Sequence, residues 1–327
     1  MTTPTLSPSS PEFKDRRVGL IVFGIFVIIL GCLCALLVPM MLLGQAISAR
    51  QAGQAVNYRM IIPAVFMYAG MAGAFIWLGI GSTLCRRWAR ALLLVLSWLW
   101  LICGAIGMAF LLVLLPQILA GTMTPQGQKM PDEIRSVVTV ITLGVSMVIY
   151  LVLPGALVLF YRSKHVKATC ETRDPVRRWT DACPLPVLAV SVMLVWGAFS
   201  MLSMPLAYNS VMPFFGKLIS GAPATMLCLV IISLMGWTAW ATYRLEPAAW
   251  WVTVVLFGML MVSAALTFAR VDLIEMYRQM GFPPDQMAIM EKFSFAHSRP
   301  MAWWMFLFAV PFFAYLILVK KYFRRAA

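Results

Sequence analysis

Two histidines and seven cysteines are the side chains of this 327-residue chain best suited to metal or nucleophilic chemistry, and their spacing supports neither. His297 shares its segment with Asp272, Glu275, Asp285 and Glu291. A metal centre needs about three or four converging ligands, and one histidine among scattered carboxylates does not supply them. His165 stands among Arg162, Lys164 and Lys167 and reads as a solvated member of a basic loop. Cys170 and Cys183 have no second close pair and no histidines at zinc-finger spacing. No H-E-x-x-H, no G-x-S-x-G, no glycine-rich phosphate loop with a following lysine and no pair of aspartates within an apolar run occurs. A nucleophile, a base and an oxyanion donor are therefore not assembled by any spacing. No catalytic, cofactor-binding or metal-binding residue is expected, and the protein is not expected to be an enzyme.

The polar groups that remain are hydroxyls inside apolar runs: Ser97, Thr139, Thr142, Ser146, Tyr150, Ser191, Ser200, Ser203, Ser233, Thr253, Ser263 and Thr267. They could line a path for an apolar or zwitterionic solute, although hydroxyls in membrane helices often bond their own backbone.

The elements that must position these groups are membrane helices. The chain is 62% hydrophobic and 12% charged with a mean hydropathy of +0.87, a composition suited to lipid as solvent. A bilayer core of about 30 Å needs about 20 apolar residues of helix. Eight stretches qualify, roughly 18–43, 60–84, 91–119, 136–161, 185–206, 220–242, 248–269 and 301–319, and none holds Asp, Glu, Lys, Arg or His. Intramembrane charge is what proton-coupled carriers, pumps and cation channels ordinarily use, so those classes are strongly disfavoured.

Orientation follows from the basic residues. Seventeen of the 26 lie in one alternate set of connections: Lys14, Arg16, Arg17; Arg86, Arg87, Arg90; Arg162, Lys164, Lys167, Arg173, Arg177, Arg178; Arg244; Lys320, Lys321, Arg324 and Arg325. By the positive-inside rule this set is cytoplasmic, and both termini with it. Arg86, Arg87, Arg90, Arg177, Arg178, Lys320 and Lys321 are the expected topology and lipid-headgroup contacts. The net charge of +14 is then orientation signal rather than a nucleic-acid surface, because no soluble basic domain is long enough. Trp88, Trp179, Trp240, Trp250, Trp251, Trp303 and Trp304 fall near the predicted borders. Residues 1–17 are expected to be disordered. The first span outruns the apolar region of about 7–15 residues in a signal peptide, so it is expected to stay uncleaved. Cys32, Cys34, Cys103 and Cys228 lie in spans and Cys85, Cys170 and Cys183 on the inner side, so no external disulfide is expected.

Landmarks recur at a slowly drifting offset: Pro39 with Pro205, Pro63 with Pro223, Trp77 with Trp237, Arg86 with Arg244, and Pro154 with Pro311. This predicts an all-α protein of eight transmembrane helices in two similar four-helix halves, 18–161 and 185–319, with a basic linker at 162–184 and a basic tail at 320–327. An even number of spans per half gives both halves one orientation and brings them together along a central seam.

The inner turn Gly79-Ile80-Gly81-Ser82-Thr83-Leu84-Cys85-Arg86-Arg87-Trp88-Ala89-Arg90 resembles one in many uncharacterised bacterial polytopic membrane proteins, where a glycine-rich helix end runs into Arg-Arg-Trp-Ala-Arg. The resemblance covers about a dozen residues of one half and implies a bacterial inner-membrane address without an activity.

In the outer segment 270–300, Leu273, Ile274, Tyr277 and Met280 recur at helical spacing, as do Met287, Met290 and Phe293. Two short amphipathic helices split at Gly281-Phe282-Pro283-Pro284 are expected. Tyr277, Met280, Met287, Met290 and Phe293 are the candidate outer partner surface, methionine being a soft and adaptable contact residue. Pro63 and Pro223 suit helix starts. Pro39, Pro116, Pro154, Pro205 and Pro311 could kink their helices. Ala69-x-x-x-Gly73, Gly70-x-x-x-Ala74 and Ala105-x-x-x-Ala109 are candidate packing faces, within the chain or between two copies of it. The expected function is a non-catalytic membrane protein that binds lipids or other membrane proteins as an accessory component. The other reading is a small permease with its site between the halves.

Overall fold

The computed structural model describes residues 13–51, 53, 58–121, 131–282, 287 and 301–323, with the backbone alone at 117, 118, 120, 121, 208 and 301–308. Its helices are α1 (Arg17–Gln51), α2 (Ile62–Thr83), α3 (Arg87–Gly121), α4 (Asp132–Met147), α5 (Leu153–Arg162), α6 (Lys164–Arg173), α7 (Leu185–Met201), α8 (Ala222–Tyr243), α9 (Pro247–Arg270), α10 (Leu273–Gln279) and α11 (Met301–Phe323). Among the described residues, seven helical segments are long and apolar enough to cross a bilayer, α4 and α5 counting as one. The chain is a multi-pass, predominantly helical membrane protein.

The helices pack in pairs. α1 lies against α2 through glycines: a Cβ on Gly24 would come within 2.9 Å of the Gly79 carbonyl oxygen, and one on Gly79 within 2.7 Å of that of Gly24. Such close backbone approach is how helices gain contact where lipid removes the hydrophobic drive. α7 lies against α8, where Ser191 Oγ donates to the Ala239 carbonyl at 2.8 Å. α9 lies against α11, where Trp250 Nε1 donates to the Leu316 carbonyl at 2.8 Å and Phe257 meets Phe312 with ring centroids 4.6 Å apart. α3 takes α4 and α5.

A five-residue π turn, Val148–Val152, joins α4 to α5, and Pro154 explains it. Proline has no N–H for the carbonyl four residues back, that of Tyr150. The Leu153 N–H bonds instead to the Val148 carbonyl, a π-helical link. The freed Tyr150 oxygen turns onto Gly104 of α3, so close that a Cβ there would collide with it.

Pro63 and Pro223 occupy the first turns of α2 and α8, as their sequence context predicts. Pro39, Pro116 and Pro311 lie inside helices, whereas Pro205 follows the end of α7 in a 3-10 turn, Met204–Leu206. The small-residue motifs named from the sequence do not form the tight crossing of α1 and α2. Ala69, Gly73, Ala105 and Ala109 are exposed, Gly70 abuts the Phe199 ring, and the tight crossing belongs to Gly24, Gly31 and Gly79.

Two turns at the basic end of the bundle share one geometry. Cys85 has φ 53 and Leu245 φ 62, both left-handed. Arg86 N–H reaches the Gly81 carbonyl at 2.9 Å and Glu246 N–H the Ala241 carbonyl at 3.0 Å, each closing its helix with a six-to-one bond. Arg86 thus corresponds to Glu246, and Arg244 to Leu84, in place of the Arg86 to Arg244 match expected from composition. The same offset separates Pro63 from Pro223 and Trp77 from Trp237.

One element departs from the all-helical expectation. Met212–Phe214 and Lys217–Ile219 form an antiparallel hairpin, β1 and β2, with Met212 opposite Ile219. Its two-residue turn is Phe215 (φ 42) and Gly216 (φ 87), the left-handed pair that a tight hairpin requires.

Candidate functional site

The basic end is built from ion pairs as well as free cations. Asp174, 2% exposed, follows α6 and accepts from Arg178 Nη2 at 2.8 Å and Nε at 3.2 Å, with Arg86 Nη1 at 3.6 Å. It also accepts from the backbone N–H of Arg87 at 3.3 Å, at the start of α3, where a carboxylate is favoured by the helix dipole. The hydrogen bonds from Arg178, followed by that backbone N–H, hold the Asp174 carboxyl below its ordinary range. Arg87 itself pairs with Asp181 at 3.2 Å and Glu171 at 3.5 Å. Arg86, Arg87 and Arg178 therefore clamp the linker to α3, which carbon-chain spacing alone did not reveal. Arg90 turns inward, its Nε buried and without a hydrogen-bond partner among the described residues. Arg177 is exposed. Lys321 Nζ lies 5.2 Å from the Tyr322 ring.

Linker and N-terminal segment also meet. Arg16 N–H donates to Thr169 Oγ1 at 3.0 Å, Lys14 N–H to His165 Nδ1 at 3.4 Å, and Arg173 pairs with Asp15 at 3.3 Å. Burial pushes the Cys170 thiol up to about 12 and that of Cys183 to about 11, so both are protonated and poor nucleophiles. Among the described residues, no three His, Cys, Asp or Glu side chains group as a metal site would.

Most of the candidate hydroxyls are engaged within the protein, whereas the side chains of Thr142, Ser146, Tyr150 and Ser233 form no hydrogen bond among the described residues and Thr242 Oγ1 is buried without one. Ser97, Thr139, Ser200 and Thr253 each donate to the carbonyl four residues back, those of Leu93, Arg135, Trp196 and Ala249. Ser203 bonds the Ser200 carbonyl. Ser263 and Thr267 anchor the hairpin: Ser263 Oγ accepts from Phe215 N–H at 3.0 Å and Thr267 Oγ1 from Gly216 N–H at 3.1 Å. Backbone outside a helix and beside apolar surface needs such partners. The hairpin was legible only as a short Phe-Gly-Lys turn between apolar residues, a weak signal beside the flanking helices.

The hairpin closes one end of a cavity of about 370 Å³ between α8 and α9. Leu227, Ile231 and Leu234 form one wall; Trp251, Val255, Met259 and Leu260 form the other; Phe214 and Phe215 form the end. Its lining is apolar apart from Ser263, whose hydroxyl the hairpin uses. Leu234, Val255 and Met259 are exposed, so it opens sideways from the bundle. At its other end Lys320 Nζ rests 4.6 Å from the Trp251 ring and 4.2 Å from that of Trp250.

In the outer segment, α10 is the first of the two expected helices, with Asp272 as its cap accepting from Ile274 N–H. Tyr277 packs edge-on to Phe282 with centroids 4.9 Å apart, and Met287, 8% exposed, joins them with Ile274. Met280 is half-buried. These contacts make Tyr277 and Met287 part of a small core of the segment. Met290, Phe293 and His297 lie outside the described residues, as does the second expected helix apart from Met287.

Comparison with protein-family models, with curated proteins and with solved structures found no match.

Proposed function

We propose that this is a non-catalytic membrane protein of the bacterial inner membrane that binds lipids or other membrane proteins as an accessory component. The observation that carries the reading is the division between polar and apolar groups. Most hydroxyls that could line a solute path bond to helix carbonyls or to the hairpin, while the cavity beside α8 and α9 is apolar and opens sideways from the bundle. The seam between α2 and α7 is filled by the stack of Phe66 on Phe199, centroids 4.3 Å apart, rather than lined with polar groups.

The architecture belonging to this reading is eight spans in two four-helix halves, with α11 as the eighth and both termini cytoplasmic. Supporting it are the 23 residues of α11, the shared turn at Cys85 and Leu245, and the seventeen basic residues on one set of connections. A further likeness between the halves supports it. Tyr315 donates to the Pro186 carbonyl at 2.8 Å, so the last helix reaches the first helix of its half, as Tyr161 reaches Leu20 through Ser82.

Purification in mild detergent, with mass spectrometry of retained lipids and proteins, tests the function. A reproducible stoichiometric partner or lipid is expected; solute flux into proteoliposomes would favour a permease and defeat the reading. Reporter fusions test the topology. Neutral residues at Arg86, Arg87 and Arg90 together are expected to scramble orientation, and unchanged orientation would count against it.

A further inference from the structure

We propose that the groove between α8 and α9 holds one acyl chain of an anionic phospholipid from the cytoplasmic leaflet, with the headgroup phosphate at Lys320. This rests on the lipid-binding reading above and names its ligand. Three features of the same site converge on that occupant.

The first is chemistry along the groove. Its walls are aliphatic and aromatic, and its one polar side chain, Ser263, is occupied by the hairpin. A cavity of about 370 Å³ without free polar groups does not hold water well, whereas a hydrocarbon chain fills it without loss. The side opening through Val255 and Met259 lets a chain enter from the bilayer without crossing a polar barrier.

The second is length. From Trp251 to Ser263 the α9 wall runs about 18 Å at about 1.5 Å per residue. One leaflet of a bilayer core about 30 Å thick offers acyl chains of comparable reach. The hairpin is a floor for the chain end: the N–H groups of Phe215 and Gly216 at its turn are both spent on α9.

The third is charge at the mouth. Trp251 both lines the groove and carries the Lys320 ammonium on its ring, so cation and apolar slot share one residue. Lys320 forms no ion pair among the described residues, and two indole rings orient it. Lys321 follows it, and Arg244, stacked on Trp240 at 4.8 Å, lies at the same end of the bundle. A phosphate at this level meets attraction that a zwitterionic headgroup would largely cancel.

The test uses the full-length protein in nanodiscs doped with phospholipids whose acyl chain bears a terminal diazirine, phosphatidylglycerol against phosphatidylcholine of equal chain length. After irradiation, adducts are mapped by peptide mass spectrometry. Adducts are expected on the α8 and α9 walls, with phosphatidylglycerol favoured roughly five-fold, the effect of about one cation at the surface. Lys320→Gln should remove that preference while leaving chain labelling in the groove, and Lys321→Gln should change it less. Val255→Trp, on a lipid-facing position where misfolding is not forced, should abolish groove labelling. Adducts spread evenly over α4 and α9, a preference untouched by Lys320→Gln, or crosslinks from a protein seated in the groove would each overturn the proposal. Retention of a protein partner with an unlabelled groove would sink the lipid site alone, and solute flux would sink the broader reading.

Discussion

The hydroxyl of Tyr161 lies 2.8 Å from Ser82 Oγ, and Ser82 donates in turn to the Leu20 carbonyl at 3.0 Å. Tyr161 is fully buried and Ser82 is 1% exposed, so one short chain of hydrogen bonds pins α5, α2 and α1 at the basic end. Buried groups of this kind cost most when one partner is removed and the other left alone.

Ser82→Ala is therefore expected to destabilise by about 1–3 kcal/mol, because the Tyr161 hydroxyl is stranded. Tyr161→Phe should cost less, about 1 kcal/mol, since Ser82 keeps its bond to Leu20. Thermal unfolding in a fixed detergent would measure both, and the double variant should lose less than the two single losses combined.

Asp174→Asn should loosen the linker from α3 by about 1–2 kcal/mol, a modest figure because Arg86 and Arg178 are partly solvated. The Asp174 carboxyl titrates below its ordinary 3.8 in the folded protein. Its contribution is thus complete above that ordinary value and is lost as pH falls through the depressed one. Proteolysis of the linker should rise on acidification below about pH 4 in the parent and be less acid-dependent in the variant.

Ser263→Ala and Thr267→Val each leave a hairpin N–H without its acceptor, that of Phe215 and of Gly216 respectively. A loss of about 1–3 kcal/mol is expected for each. Hydrogen exchange at these two amides should accelerate while that of mid-α9 stays slow, and uniform acceleration would point to general unfolding instead.

Gly104→Ala puts a methyl group into the Tyr150 carbonyl, whereas Gly107→Ala, with nothing within 4 Å, meets open space. The first should cost about 1–3 kcal/mol through forced separation of α3 from the π turn. The second should be neutral or stabilising by up to about 1 kcal/mol. Unfolding midpoints of the two variants side by side would distinguish a close backbone approach from a general intolerance of larger residues in α3.

Much of the helical plan was legible because spanning lipid demands long uncharged runs, and Pro63, Pro223 and Arg86 punctuate them in recognisable ways, although Gly79, read as part of a helix end, lies inside α2 at its crossing with α1. The residues with specific jobs were less legible. Ser263 and Thr267 look like any span hydroxyls until the hairpin lies beside them, and Asp174 looks like a surface carboxylate in a basic loop. Ala69, Gly73, Ala105 and Ala109 match a packing pattern, yet the close crossing falls to Gly24 and Gly79, since a local spacing does not say which helix will be opposite. Arg86 and Arg244 were aligned by residue type, and the turn geometry moved that match by two positions.

The sequence alone determined the solvent, the approximate places of the spans and the distribution of charge between connections, because these depend on local composition and on the thickness of a bilayer. Tertiary structure decided which helix faces meet, that a hairpin floors a lateral groove, and that Lys320 rests on Trp251 at its mouth. Those depend on contacts between residues far apart in the chain, which no one-dimensional pattern carries.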